Sequence, residues 1–390
     1  MAKERYYSLD VFRGATVALM ILVNNPGSWQ HIYGPLKHAP WHGCTPTDLV
    51  FPFFLFAVGN AMAFVLPGLQ QAGAGVFWRK VLKRVALIFA IGLFLNWSPF
   101  VKWSGQELVF KHWTDPQDPT QGIRILGVLQ RIALAYGLAA ILAYFTRPRV
   151  TFYVCTLILL GYWALVYLAN PADPYSLEGF IGTHWDIQVL GTAHVYKGEG
   201  VPFDPEGLLS TIPAVVQVVF GYFTGQYIQQ KGKNYEMLAH LLLAGVILTL
   251  GGLIWDTSFP INKKIWSSSY VLYTTGLALF TLSTFIYLIE FKAARGAWSR
   301  FFDVFGKNPL FIFVLSGFLP RVVGLLRFTD GQTTSGQPKY TNAFGWFYEH
   351  ICAPVSADPR NGSLLYAVAM IAFYWLLVWW MDKRKIYVKV

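Results

Sequence analysis

Between Asn24 and Gly43 the chain gathers His31, His38 and His42, Trp29 and Trp41, and the adjacent amides of Asn24 and Asn25, in a sequence otherwise poor in polar side chains. An imidazole changes charge near neutral pH and so suits proton transfer or nucleophilic attack, and an amide N–H can steady a developing oxyanion. Acyl transfer to an amine or a hydroxyl needs both. Each histidine is equally accounted for as a polar residue of an interfacial loop, and the residues alone do not separate the two readings. No metal is expected, because no acid or cysteine falls at a recognised ligand spacing with the three imidazoles. Directly downstream, Thr45-Pro46-Thr47-Asp48 has the form of a helix start, with Thr45 as cap, Pro46 at the first helical position and Asp48 three residues on. Capping suffices to explain Asp48. Its nearness to His38 leaves open that it orients an imidazole.

Charges inside apolar runs are costly, so each needs a partner or a task. Asp10 and Arg13 share one helix face in Ser8-Leu9-Asp10-Val11-Phe12-Arg13-Gly14, either as an ion pair or with Arg13 reaching a phosphate. In the run from Gly122 to Arg131, Arg124 can snorkel outward. Gln130 and Arg131 lie deeper and form a buried polar network or line a cofactor channel. Asp204-Pro205-Glu206-Gly207 reads as a cap leading into the next apolar run.

The scaffold that positions these groups is a membrane bundle. The 390 residues are 55% hydrophobic, 17% aromatic and only 13% charged, too apolar for a soluble domain. Ten apolar runs lie at 9–28, 47–66, 77–97, 122–145, 150–169, 208–229, 236–255, 266–289, 301–327 and 363–381. Each is close to the roughly 20 residues that cross ~30 Å of hydrocarbon at about 1.5 Å per residue. Backbone groups in lipid must be satisfied within the segment, which makes such runs helices. The expected fold is therefore an all-α integral membrane protein, a single domain over residues 1–390 with about ten transmembrane helices. Residues 342–352 are expected as an interfacial or re-entrant helix. The first run has no small-residue cleavage site after it and is read as a retained helix.

The net charge of +11 does not point to nucleic acid, because the basic residues sit in short clusters between apolar runs. These are Lys3 and Arg5; Arg79, Lys80, Lys83 and Arg84; Arg147 and Arg149; Lys231 and Lys233; Lys292, Arg295 and Arg300; and Lys383, Arg384, Lys385 and Lys389. The positive-inside rule puts them and both termini in the cytoplasm and the longer loops outside. Asn262, Lys263 and Lys264 fall on the outer side, where paired lysines run against the trend, as an anion or thioester site or as solvated charge. Trp29, Trp41, Trp97, Trp103, Trp113 and Trp185 also fall at outer helix ends, an aromatic belt from which one or two rings could stack on a sugar. Cys44, Cys155 and Cys352 make no disulfide framework; the first and last are expected outside and Cys155 within a span.

Six ordered segments together resemble the heparan-α-glucosaminide N-acetyltransferase family: Ser8 to Gly14, Leu22-Val-Asn-Asn-Pro26, His38 to Pro52, Gly127-Val-Leu-Gln-Arg131, Phe203-Asp-Pro-Glu-Gly207 and Pro260 to Ser267. The resemblance implies transfer of acetyl from cytoplasmic acetyl-CoA to the amine of a glucosamine-type sugar on the far side of the membrane. It places the catalytic histidine at His38 and the implicated loop asparagine at Asn24. The Asn24 to His38 gap is longer than in animal members, so Asn25 is the other candidate, and Asp48 would orient His38. His42 stands where animal members carry Asn. Acetyl-CoA phosphates entering from the cytoplasm would meet Arg13, Arg79, Lys83, Arg84 and Arg147, with Gln130, Arg131, Asn262, Lys263 and Lys264 further along the cofactor path. A bacterial-looking short form implies the bacterial inner membrane and an amino sugar other than heparan; a homodimer is implied as well. Two other readings stay open on the residues: a sugar or ion transporter, which would show broken helices in two related halves, and a membrane O-acyltransferase with a hydroxyl acceptor.

Overall fold

In the computed structural model, which describes residues 6–333 and 336–388, the apolar runs fold as helices. Lys3, Arg5 and Lys389 lie outside the described residues. The first half comprises α1 (Tyr7–Asn24), α2 (Val50–Ala72, entered through a 3-10 turn at Pro46–Leu49), α3 (Ala74–Trp97), α4 (Val128–Phe145), α5 (Pro148–Ala169) and the short outer α6 (Ile181–Leu190). The second comprises α7 (Leu208–Lys231), α8 (Tyr235–Asp256), α9 (Ser268–Ile286), α10 (Ala297–Lys307), α11 (Pro309–Val323), α12 (Ala343–Phe347) and α13 (Pro359–Lys383).

Eight of these are long and apolar enough to cross a membrane, or nine if α10 and α11 form one span bent by 78°. The departure from ten has two causes. α3 has the length, but its first half carries Arg79, Lys80, Lys83 and Arg84, which removes it from the apolar set. The run 301–327 is broken at Asn308, where Pro309 takes the first position of a new helix because a proline lacks the N–H that would continue the old one. The fourth run also starts late: α4 begins at Val128, leaving Arg124 in the preceding loop.

The chain is mostly rather than purely helical. Two antiparallel hairpins, β1 (Val101–Ser104) with β2 (Glu107–Phe110) and β3 (Phe328–Gln332) with β4 (Pro338–Thr341), sit in long connections. The segment 342–352 is a helical turn capped by Asn342 that runs into a π turn at Tyr348–Cys352. That turn packs Cys352 against α1 and α13 with no exposed surface. Cys155 is buried in α5 as expected. Cys44 is half-buried, and burial, helped by the Asp48 carboxylate, pushes its thiol up to about 12.

Burial orders the bundle. The apolar stretch of α7 is 78% buried and that of α2 67%, whereas α5 is 22% and α8 28% buried. α2 and α7 are therefore the axial pair, and α5 and α8 are outer staves that present Leu157, Leu168, Ile247 and Ile254 outward. A second core cluster joins α1, α10, α11 and α13 beside them. The α1–α10 crossing is close because glycines meet there. A Cβ on Gly14 would strike the Phe302 carbonyl, and one on Gly306 would strike that of Asp10. Both obstacles are backbone, which cannot swing aside. Gly14→Ala is thus expected to destabilise the protein by about 1–3 kcal/mol, the usual cost of overpacking. A thermal melt of purified protein in detergent showing no drop would refute the close crossing.

Candidate active site

The loop after α1 and the helix start of α2 build the site between them. Thr45 and Asp48 form the expected capping box, with Asp48 Oδ2 accepting from Thr45 N and Thr45 Oγ1, each at 3.0 Å. The same oxygen accepts from Ala39 N at 3.0 Å, which pins the loop segment carrying His38. Asp48 Oδ1 is left to face His38 Nδ1 at 2.6 Å. The carboxylate is 1% exposed and the imidazole 44%. A buried carboxylate at Nδ1 favours the tautomer that carries its proton there, which leaves the lone pair on Nε2, 3.5 Å from Lys263 Nζ. Capping and orientation are both performed by Asp48, one oxygen to each. Lys263 Nζ completes the cluster at 3.6 Å from Asp48 Oδ1 and 3.1 Å from His38 Nδ1. Burial lowers the pKa of this lysine, with the Asp48 and Glu206 carboxylates opposing.

The other two imidazoles are engaged elsewhere. His31 Nδ1 lies 3.3 Å from Ser28 Oγ, and His42 Nδ1 lies 3.3 Å from Asn262 Nδ2. Burial lowers the His42 pKa. Among the described residues the one group of acids and histidine at ligand distance is Asp330, Glu349 and His350, already paired, His350 with Asp330 and Glu349 with Lys339.

His38 opens into a cavity of about 270 Å³ whose wall includes Asn24, Asp48, Arg124, Glu206 and Lys263. Asn24 thus lines the same cavity as His38. Asn25 is turned away, its Nδ2 donating to Ile21 O at 3.0 Å. Lys264 also lines this cavity, but its Nζ is held by Glu199 Oε2 at 2.6 Å and by the Pro40 carbonyl at 2.8 Å. Asn262 lies behind the wall and shapes the loop, its Oδ1 accepting from Lys264 N at 2.7 Å and Ile265 N at 3.1 Å.

A second cavity, about 530 Å³, abuts the first, and Phe54 and Phe313 belong to both walls. At its far end stand Arg13, Arg84 and Lys307, with Asp10 paired to Arg13. Arg13 Nε and Arg84 Nε are buried without a hydrogen-bond partner among the described residues. Arg79, Lys83 and Arg147 are exposed and do not line it. Gln130 and Arg131 line neither cavity. Gln130 Nε2 donates to Ile125 O at 2.8 Å, and Arg131, wholly buried, donates to Thr211 Oγ1, Gly207 O and Ser210 Oγ with its guanidinium 5.0 Å from the Trp266 ring. They form the buried polar network that was one of their two readings.

Sequence reasoning missed the carboxylates that hold Arg124. Asp204 Oδ2 accepts from its Nε at 3.0 Å, Oδ1 from Nη2 at 2.5 Å, and Glu206 accepts from Nη2 as well. Burial would raise the Glu206 carboxyl; the Arg124 guanidinium, with Arg131 and Lys263 adding to it, holds it below the ordinary value. Lys307, Tyr387, Phe54 and Phe313 were also missed, since each is an unremarkable residue of an apolar helix or chain end until the fold brings it to a wall. The signal for Arg124 was present: an arginine in an apolar run requires a buried acid, and Phe203-Asp-Pro-Glu-Gly207 supplies two.

An apolar multi-helix scaffold that seats an imidazole on a buried carboxylate, at one end of two abutting cavities with cations at the other, defines a multi-pass membrane protein with an acid–base centre. The chain belongs to the heparan-alpha-glucosaminide N-acetyltransferase family: residues 5–253 match the family model described as "Heparan-alpha-glucosaminide N-acetyltransferase, catalytic". It is 27% identical over 364 residues to the human heparan-alpha-glucosaminide N-acetyltransferase, covering 80% of this chain and 52% of the human protein. The mouse protein of the same name is likewise 27% identical over 366 residues, covering 80% of this chain and 53% of its own length. The chain therefore spans about half the length of the curated relatives it matches.

Proposed function

We propose that this chain is a transmembrane acetyltransferase that moves acetyl from cytoplasmic acetyl-CoA to the amine of a glucosamine-type sugar on the opposite, outer side of a membrane such as the bacterial inner membrane. The observation that carries the reading is the pair of cavities meeting at Phe54 and Phe313, with Arg13, Arg84 and Lys307 at one end and His38 on Asp48 at the other. Family membership supports the donor and the class of acceptor. The positive-inside asymmetry supports cytoplasmic termini, with the Arg13 end facing the cytoplasm.

Arg13, Arg84 and Lys307 would hold the phosphates of the donor, and the apolar walls between the cavities would carry its thioester arm toward His38. An ammonium cannot attack a thioester, so His38 Nε2 would take the proton from the sugar amine while Asp48 accepts from Nδ1 and steadies the imidazolium. Asn24 and Lys263 stand where an amide and an ammonium would stabilise the carbonyl oxygen as its charge develops. The proton on His38 then goes to the departing sulfur. A route in which Nε2 itself accepts the acetyl group and passes it to the amine uses the same free nitrogen. Acetyl trapped on His38 in the absence of acceptor would identify that route.

The test is transfer across a sealed membrane. In vesicles with acetyl-CoA only on the Arg13 side and glucosamine only on the other, N-acetylglucosamine should form on the glucosamine side; product only when both substrates share a compartment would overturn the reading. Arg13→Gln or Arg84→Gln is expected to raise the KM for acetyl-CoA about tenfold, equivalent to about 1.4 kcal/mol of binding. The KM for glucosamine should stay the same. No change in either variant would remove this end of the cavity as the phosphate site.

A further inference from the structure

The outer face holds a third cavity that the proposed transfer does not use. It is a cleft of about 460 Å³ between the Pro40-Trp41-His42 turn and the connection after α5, where Asp173 and Tyr175 lie, closed at one side by Glu199. It is contiguous with the His38 cavity, because Trp41 and Glu199 belong to the walls of both.

The shared wall is built and held. Trp41 Nε1 donates to Tyr175 O at 2.7 Å, tying the two loops together, and the indole packs on Phe203 with ring centroids 5.4 Å apart. Lys264 Nζ bonds Glu199 and lies 5.5 Å from the Trp41 ring. The indole and the Glu199 carboxylate are thereby fixed between the two cavities, and an aromatic face beside a carboxylate is the surface that a sugar ring with hydroxyl and ammonium groups recognises.

The charge of the cleft gives its specificity. No lysine or arginine lines it, and Asp173 and Glu199 do. Glu199 is compensated by Lys264 behind it, whereas Asp173 Oδ2 accepts only from Ser176 Oγ, at 2.5 Å, and no cation pairs with it among the described residues. Burial holds His42 toward its neutral form, so it does not offset the acids. A carboxylate or sulfate placed here would meet uncompensated negative charge, and an ammonium would be attracted.

We propose that this cleft is a second saccharide subsite, seating the residue next to the reacting amino sugar, and that it selects an acceptor whose second residue is also a free amino sugar over one whose second residue is a uronic acid. The proposal rests on the transferase reading above and extends it from one sugar ring to two.

The experiment compares three acceptors on the native protein in membranes: glucosamine, its dimer with both amines free, and a disaccharide of glucosamine followed by a uronic acid. The dimer should have the lowest KM and the uronate disaccharide the highest. Asp173→Lys should cut the kcat/KM for the dimer by about fivefold, the scale of an exposed charge pair. It should raise that for the uronate disaccharide and leave glucosamine unchanged. Asp173→Asn, a smaller change at an exposed loop position, should move the dimer the same way by less. If glucosamine is acetylated but the dimer gains nothing over it, or its advantage survives both substitutions, the subsite is overturned while the transferase reading stands. If the native protein acetylates none of the three, the transferase reading fails and the subsite with it.

Discussion

His38→Ala is expected to reduce acetyl transfer by about 100-fold or more, the lower range of what a positioned general acid–base group contributes, with acetyl-CoA binding retained. His38 is the imidazole whose Nδ1 is committed to a buried carboxylate, at 2.6 Å, while the ring itself is nearly half exposed to the cavity. That combination leaves the Nε2 lone pair uncommitted to Asp48, with Lys263 Nζ 3.5 Å from it. His31 and His42 bond to Ser28 and Asn262 and line no part of the His38 cavity, so their alanine variants should lose far less. The proposed donor site is formed by groups at the opposite end, and donor binding measured directly should therefore persist in His38→Ala. A folded, donor-binding His38→Ala protein with near-normal turnover would sink the assignment.

Arg124→Ala should cost about 3–5 kcal/mol of stability, the range for breaking a buried ion pair by removing one partner. Asp204 is fully buried and Glu206 nearly so, and both would be left without the cation that faces them. The loss should depend on pH with a definite sign. In the native protein the Glu206 pKa lies below its ordinary value of 4.5, so its contribution is present above that value and disappears as pH falls through the folded pKa. Without Arg124 the burial contribution, the largest one, is opposed by Arg131 and Lys263 alone and raises the pKa, so stability falls as pH rises. The gap in melting temperature between native and variant should be wider at about pH 8 than at about pH 5. Glu206→Gln added to Arg124→Ala should recover part of it. An equal gap at both pH values would show that Arg124 acts through packing rather than charge.

Local signals survived translation into structure better than distant ones. The start of α2 was legible because Thr45, Pro46 and Asp48 carry their meaning within one helical turn, and the pairing of His38 with Asp48 was suggested by a separation of ten positions. Arg124 was placed in a helix because hydrophobicity runs unbroken from Gly122; the 80 residues separating it from Asp204 hid the ion pair that keeps it in a loop. Asn308-Pro309 was a visible break signal overridden by the apolarity on either side of it. The hairpins escaped notice because strands of four or five residues are too short for their alternation to stand out as a period. At the far cavity only Arg13 and Arg84 were found among five expected cations, since which face of α3 turns inward is decided by its contact with α4 and not by the charges themselves.

The break between α10 and α11 makes the bore of the protein an angular quantity. Asn308 satisfies the backbone left open by the chain's turn, with Nδ2 donating to Ile386 O at 3.1 Å and Oδ1 accepting from Val388 N at 2.9 Å, so the pivot is fastened to the segment after α13. Phe313 lies about one helical turn beyond that pivot and stands in the partition between the cation-lined cavity and the His38 cavity. Any tilt of α11 about Asn308 carries this ring along an arc and alters both chambers together. The width of the passage and the angle at Asn308 are then a single mechanical coordinate, and the tail of the chain is the strut that sets its resting value.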